Sequence, residues 1–251
     1  MKYLSTSIAF LTLTSIPALA QDIPLSKILV EKEGWRVAAV AAKPITHLEG
    51  LPGGEIAINQ GGAHGTLSVK GDFLPGPSIR MVRTARTTST IRGNYVIDDE
   101  GKIAYFQDGK RTDALKLTGL KAPTCLFLWP DEGHLVIGEA DGAYLWAVRI
   151  EKDGSFGPGD RYYSLRTRPN EKLYVAAMTM DAGYLLYACT PLGVQVFDPT
   201  GRLSGVIPAP AKEAMTAITI GGEKADTLFV AAGDRIYARR IQGKAAYTLK
   251  K

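Results

Sequence analysis

Few side chains in this chain can exchange a proton or bind a metal near neutral pH: three histidines, His47, His64 and His134, and two cysteines, Cys125 and Cys189. The histidines are assigned to separate repeats of the pattern described below, so only a fold that gathers distant segments onto one axis would combine them. His64 lies in the loop Asn59-Gln60-Gly61-Gly62-Ala63-His64-Gly65 and His134 follows a turn glycine, Gly133, so both are expected at the surface. Two cysteines exclude a disulfide scaffold and leave at most one bridge. Set in apolar stretches, they read as buried thiols in preference to a bonded pair, and zinc-site spacing is absent. The sequence has no Gly-x-Ser-x-Gly elbow, which disfavours serine nucleophile chemistry. The glycine-rich stretch Gln60 to Gly65 does not open a helix after a strand, so it reads as a hairpin turn and not a phosphate cradle.

Two arginine clusters remain. Arg80, Arg83, Arg86 and Arg92 fall in a Thr- and Ser-rich stretch, and Arg161, Arg166 and Arg168 flank Tyr162 and Tyr163. Arginine beside tyrosine can hold a sugar acid or another anion by bidentate bonds and stacking, although solvated surface is the plainer expectation. The net charge of +5 balances 30 basic against 25 acidic residues and gives no argument for nucleic acid as a partner.

The elements that would position these groups are short strands. The first twenty of the 251 residues read as a secretory signal: Lys2, an apolar run from Ile8 to Leu13, and small residues in Ala18-Leu19-Ala20. Residues 21–251 are then a single exported domain, secreted or periplasmic, and no stretch is long and apolar enough to span a membrane. A composition 45% hydrophobic and 22% charged is globular, and 27 glycines imply frequent turns. Apolar stripes of helical period are missing. Instead, β-branched and aromatic runs alternate with Gly, Asp, Asn and Pro clusters, which predicts an all-β fold.

Aligned on their turns, these runs repeat. Units begin at Ile45, Ile91, Pro123, Ala176 and Thr216, each a strand, a turn and further strands, and the second strand recurs at Ile56, Ile103, Leu135, Leu185 and Leu228. Three or four antiparallel strands repeated every 40 residues or so predict a β-propeller. Six blades are favoured and five are allowed; six requires that the segment from Lys27 to Trp35 and the stretch Phe73 to Thr90 share a diverged blade. Ring closure needs a strand from one terminus to complete the blade of the other, and Ile28 to Val30 is the candidate. A pair of β-sandwiches is disfavoured, because the turn grammar recurs along the whole chain.

The stretch from Leu185, LLYACTPLGVQVFDPTGRLSGVIPAP, followed by TAITIGGEKADTLFVAAGDRIYARRI, resembles the end of the gluconolactonase/regucalcin family of six-bladed propellers. WPDEGHLVIGEADGAYLWAVRIEKDGSF from Trp129 is similar to the preceding blade. The resemblance implies hydrolysis of sugar lactones, or of other esters or organophosphates, around one axial divalent cation, usually Ca²⁺, held by a Glu, two Asn and an Asp. Such a cation takes oxygen ligands, polarises the carbonyl and activates water. Carried onto this sequence, the resemblance places Ala176 where the Asp should be and Thr124 at one Asn position. Asn94 stands for the other Asn and Glu49 for the first-blade Glu, although an equally good register makes Ile45 to Leu51 a plain inner strand. The implied metal ligands are therefore Asn94 and Glu49 alone, for Ca²⁺, another divalent cation or none. The resulting expectation is a lactonase-like propeller with a degraded metal site and reduced, altered or absent activity on a lactone, sugar acid or saccharide. The alternative is a non-enzymatic propeller that binds a protein or saccharide through its rim loops.

Overall fold

A computed structural model describes residues 23–76, 85–90 and 92–249. The expected signal at residues 1–20, and Arg80 and Arg83 of the first arginine cluster, lie outside the described residues.

Those residues form five antiparallel sheets of four strands each. The first strand, β1 (Arg36–Val40), is followed by sheet one: β2 (His47–Gly50), β3 (Ile56–Gln60), β4 (Ala63–Leu67) and β5 (Phe73–Pro75). Sheet two is β6 (Thr87–Ser89), β7 (Asn94–Ile97), β8 (Ile103–Gln107) and β9 (Lys110–Ala114). Sheet three is β10 (Pro123–Leu128), β11 (His134–Glu139), β12 (Tyr144–Ile150) and β13 (Phe156–Ser164). Sheet four is β14 (Met178–Met180), β15 (Leu186–Thr190), β16 (Gly193–Phe197) and β17 (Leu203–Ile207). Sheet five is β18 (Met215–Gly221), β19 (Thr227–Ala232) and β20 (Arg235–Arg240), completed by β1 at its outer edge.

The fold is thus an all-β propeller with five blades, the lower of the two counts the repeat spacing allowed. Among the described residues, the stretch from Phe73 to Thr90 adds no sixth sheet. Its ends supply the outermost strand of sheet one and the innermost strand of sheet two. Closure also differs in detail from expectation. The strand that pairs with β20 is β1, with Arg36 opposite Ala238 and Val40 opposite Arg235. Ile28 to Val30 contributes a single bridge, Leu29 to Ile241, after a 3₁₀ turn at Leu25–Lys27. Ile28 is fully buried among side chains of sheets four and five, so its apolarity reflects core packing and not ladder pairing.

The repeating turns have a local chemical cause. Asp98, Asp181 and Asp198 each use one carboxylate oxygen to accept two backbone N–H groups of the turn that follows, at 2.8 to 3.1 Å. Gly101 and Gly201 then take the left-handed backbone that ends two of these turns. This Asx chemistry is what the sequence shows as Asp-x-x-Gly punctuation.

Packing between neighbouring sheets follows the two-residue alternation of strands. Four apolar clusters join sheets two and three, three and four, four and five, and five and one. Between sheets one and two the facing residues differ in kind. Register puts His47, Glu49, Asn59, His64 and Thr66 on the face of sheet one opposite its apolar cluster. Thr87, Ser89, Asn94, Val96 and Phe106 occupy the corresponding face of sheet two. Most of these residues are only half-buried, and among the described residues no apolar cluster spans this seam. The ring therefore has four oily joints and one polar one.

Candidate functional site

The innermost strands, β2, β6, β10, β14 and β18, stand side by side around the axis. Hydrogen bonds tie several neighbours together. Thr216 Oγ1 donates to Ile45 O at 2.6 Å, Gly50 N–H to Thr219 Oγ1 at 2.8 Å, Thr124 Oγ1 to Val175 O at 2.6 Å, and Leu126 N–H to Ala85 O at 2.7 Å. Because β2 passes from beside Thr216 to beside Thr219, it runs in the same direction as β18. All five inner strands contribute to one axial cavity of about 110 Å³.

It has an imidazole and a carboxyl group in His47 and Glu49, two apart on β2 and so on one side of that strand, roughly 7 Å apart along the chain. Thr88, Thr179 and Thr219 bring hydroxyls from three other sheets, and Phe127 adds an aromatic wall. Tyr247 arrives from the C-terminus. That segment crosses the channel where the inner strands end: Ala182 N–H donates to Lys244 O and Ala245 N–H to Ala225 O, both at 2.7 Å, while Ala245 bridges Asp181. Thr88 Oγ1 and the Tyr247 hydroxyl are buried with no hydrogen-bond partner among the described residues. Thr219 Oγ1 accepts from Gly50, and its own proton remains available to donate. A carboxylate, an imidazole and several hydroxyls in a narrow, partly apolar channel can hold a small hydroxylated molecule and move a proton at one end of it.

The sequence-derived candidates fall at several places. Glu49 lines the cavity. Asn94 begins β7, outside the cavity lining, where Ser89 Oγ donates to its Oδ1 at 2.5 Å. Thr124 is the second residue of β10 and donates its hydroxyl proton to Val175 O. Ala176 precedes β14 and lines a separate surface groove of about 370 Å³ with Cys189, Thr190 and Met215. By register, Glu49 stands next to the β2–β3 turn, as Phe127 does on β10, three residues beyond Thr124. Glu49 and Thr124 are thus displaced by roughly 10 Å along the channel.

A hard cation needs several oxygen donors converging within about 2.6 Å of one point. Among the described residues no three His, Cys, Asp or Glu side chains approach closely enough to hold a metal ion. Thr124 offers only a neutral hydroxyl, Ala176 has no side-chain oxygen, and Glu49 and Asn94 lie on different strands of different sheets. The donors described here do not fit the implied centre.

Of the histidines, His47 and His64 belong to the same sheet, not separate repeats, and flank Asn59 in a row across β2, β3 and β4. His64 and His134 are half-buried, each partly open to solvent; the His134 ring lies 4.8 Å from that of Trp129. The glycine-rich loop is the β3–β4 hairpin turn, with Gly61 and Gly62 at φ 57° and 86°. Both cysteines are buried free thiols. The second arginine cluster is dispersed: Arg161 stacks on Tyr144 and Trp146, Arg166 has its backbone held by Gln195, and Arg168 pairs with Glu171. Sequence reasoning passed over the channel threonines and Tyr247. Thr179 and Thr219 did carry a signal, since Met178-Thr179-Met180 and Ile218-Thr219-Ile220 each set a lone hydroxyl between apolar residues of an inner strand.

Comparison with known proteins follows the architecture. Residues 87–234 match the family described as the SMP-30/gluconolactonase/LRE-like region. That stretch spans β6 into the β19–β20 turn and leaves β2, with His47 and Glu49, outside it. Among curated proteins, none matches the chain by sequence. Among solved structures, a protein described as a putative gluconolactonase superposes with a TM-score of 0.63 at 12% identity, covering 87% of this chain and 96% of that one. A gluconolactonase from Xanthomonas campestris gives 0.56 at 13% identity, covering 86% and 92%. The calcium-binding protein regucalcin from Agrobacterium tumefaciens gives 0.53 at 13%, covering 80% and 77%. At such identities the structural likeness speaks to the fold.

Proposed function

The chain belongs to the SMP-30/gluconolactonase/LRE-like family, and on that premise we propose that it is an exported hydrolase-type propeller that takes a small lactone at its axial channel. In this reading the metal site is degraded, with Glu49 the one implied ligand that lines the cavity, and turnover is lowered or altered accordingly. The observation that carries it is the axial cavity, which all five inner strands line and where Glu49 and His47 sit beside hydroxyls from other sheets. Glu49 takes the proton of an attacking water, and His47 is close enough along β2 to return a proton to the leaving alkoxide. Thr88 and Tyr247, whose hydroxyls have no partner among the described residues, hydrogen-bond the ring oxygens. The cavity lies below the roughly 300–1,000 Å³ typical of ligand pockets, which restricts it to the carbonyl end of a small ring.

The test is opening of an aldonolactone, followed by pH-stat with and without chelator. We expect turnover above the buffer rate that falls at least about tenfold in Glu49→Gln, the typical scale of general-base loss being 10² to 10⁴. A rate equal to buffer in the presence of Ca²⁺ would leave the second reading, a non-enzymatic propeller that binds a protein or saccharide by its rim. The incomplete donor set favours that reading.

A further inference from the structure

Arg161 stands without an acid among the described residues, and unlike Arg166 of the same cluster its guanidinium is set against aromatic rings. Arg149, Arg168 and Arg240 each have a carboxylate oxygen at 2.9, 3.4 and 3.1 Å. Among the described residues, the Arg161 guanidinium has neither an ion pair nor a hydrogen bond. It is held instead by aromatic faces, 5.4 Å from the Tyr144 ring centre and 5.2 Å from that of Trp146. Trp146 is itself fixed, since its Nε1–H donates to Glu139 Oε1 at 3.1 Å while Glu139 Oε2 accepts the Lys121 N–H at 3.1 Å.

This stacked cation stands in a groove of about 440 Å³ between the Leu115 to Thr118 linker and the Gly157 to Arg161 part of β13. Lys116 and Thr118 are exposed on the opposite wall. Asp160 is the one acid among the lining residues, and its Oδ1 accepts the backbone N–H of Arg161 at 2.7 Å. Its side chain leaves the strand on the face opposite Arg161, because successive residues alternate. A guanidinium set against rings with its N–H groups unbonded keeps the fork that takes a carboxylate in two parallel bonds. Tyr144, 38% exposed, leaves ring surface for the C–H face of a sugar.

We propose that this groove binds a carboxylate-bearing sugar, with Arg161 forking the carboxylate, Lys116 adding charge and Thr118 meeting a hydroxyl. It shares no residue with the axial cavity, so its failure and that of the lactone reading are separable.

The experiment is a titration of the ¹⁵N-labelled mature protein with glucuronate, and separately with glucose, following the indole N–H of Trp146 assigned through Trp146→Phe. Glucuronate at about 10 mM should shift that resonance saturably, because even an affinity near 1 mM fills the site there. Arg161→Gln should weaken binding about tenfold or more, and Lys116→Gln, at an exposed position, about threefold. Glucose should produce no saturable shift. The proposal is overturned if glucuronate leaves the resonance unmoved, if glucose binds equally well, or if both charge-removing variants bind as the parent does.

Discussion

Asp181 is a carboxylate put to structural use. It is buried, accepting from the backbone N–H groups of Gly183 and Leu185 and from the Tyr187 hydroxyl at 2.8, 3.0 and 3.1 Å. Burial pushes its carboxyl above the ordinary value, outweighing the hydrogen bonds that lower it. A carboxyl that holds its proton more tightly when folded contributes stability that is complete below the unfolded value near 3.9 and lost as pH rises through the folded one. Asp181→Asn cannot titrate, so its melting temperature should gain on the parent as pH rises above about 4. Parallel melting curves above that pH would refute this. The cysteines give a second expectation at this scale. Burial raises the Cys125 thiol to about 12 and moves the Cys189 thiol up as well. Neither should react with a disulfide reagent at pH 8 until the chain is unfolded, when both should; rapid labelling of the native protein would contradict their placement.

At the scale of elements, the turns were the most readable feature, since an Asx turn and a left-handed glycine act within a few residues. What a turn touches was not readable. Gly54, in the β2–β3 turn, has φ +95°, and an added Cβ would lie 2.3 Å from Gly222 O of sheet five. Gly222 N–H in turn donates to Gly54 O at 2.8 Å, so the two turns are locked backbone to backbone. Gly71 has nearly the same φ, +94°, with nothing within 4 Å. Gly54→Ala should therefore cost about 3 kcal/mol and Gly71→Ala about 1 kcal/mol, the difference reporting the contact alone. Urea midpoints at unchanged m-value would measure both; equal shifts would mean that sheets one and five are not joined there.

Taken as a whole molecule, the ring is uneven. β15, β16 and β19 are buried at every position, whereas β2 has one buried residue and three half-buried ones. Apolar burial at about 25 cal/mol per Å² holds four joints, and the joint between sheets one and two lacks it among the described residues. Sub-global opening follows the least-buried boundary. Amide exchange should accordingly be fastest in β2, β6 and β7 and slowest in β15, β16 and β19. Uniform protection around the ring would show that the polar joint is as strong as the others.

The sequence by itself determined the strands, their turns and the propeller, because period-two burial and Asx turns are local and recur at every blade. It also brought Glu49 forward as a candidate through family resemblance, and the structure places that residue on the channel. Only the tertiary structure decided that there are five sheets, that Arg36–Val40 closes the ring, that His47 and His64 share one sheet, and that Glu49 and Thr124 are displaced along the axis. Those outcomes depend on which strands meet across long stretches of chain, and the pairing energy belongs to both partners at once, so neither segment carries it alone.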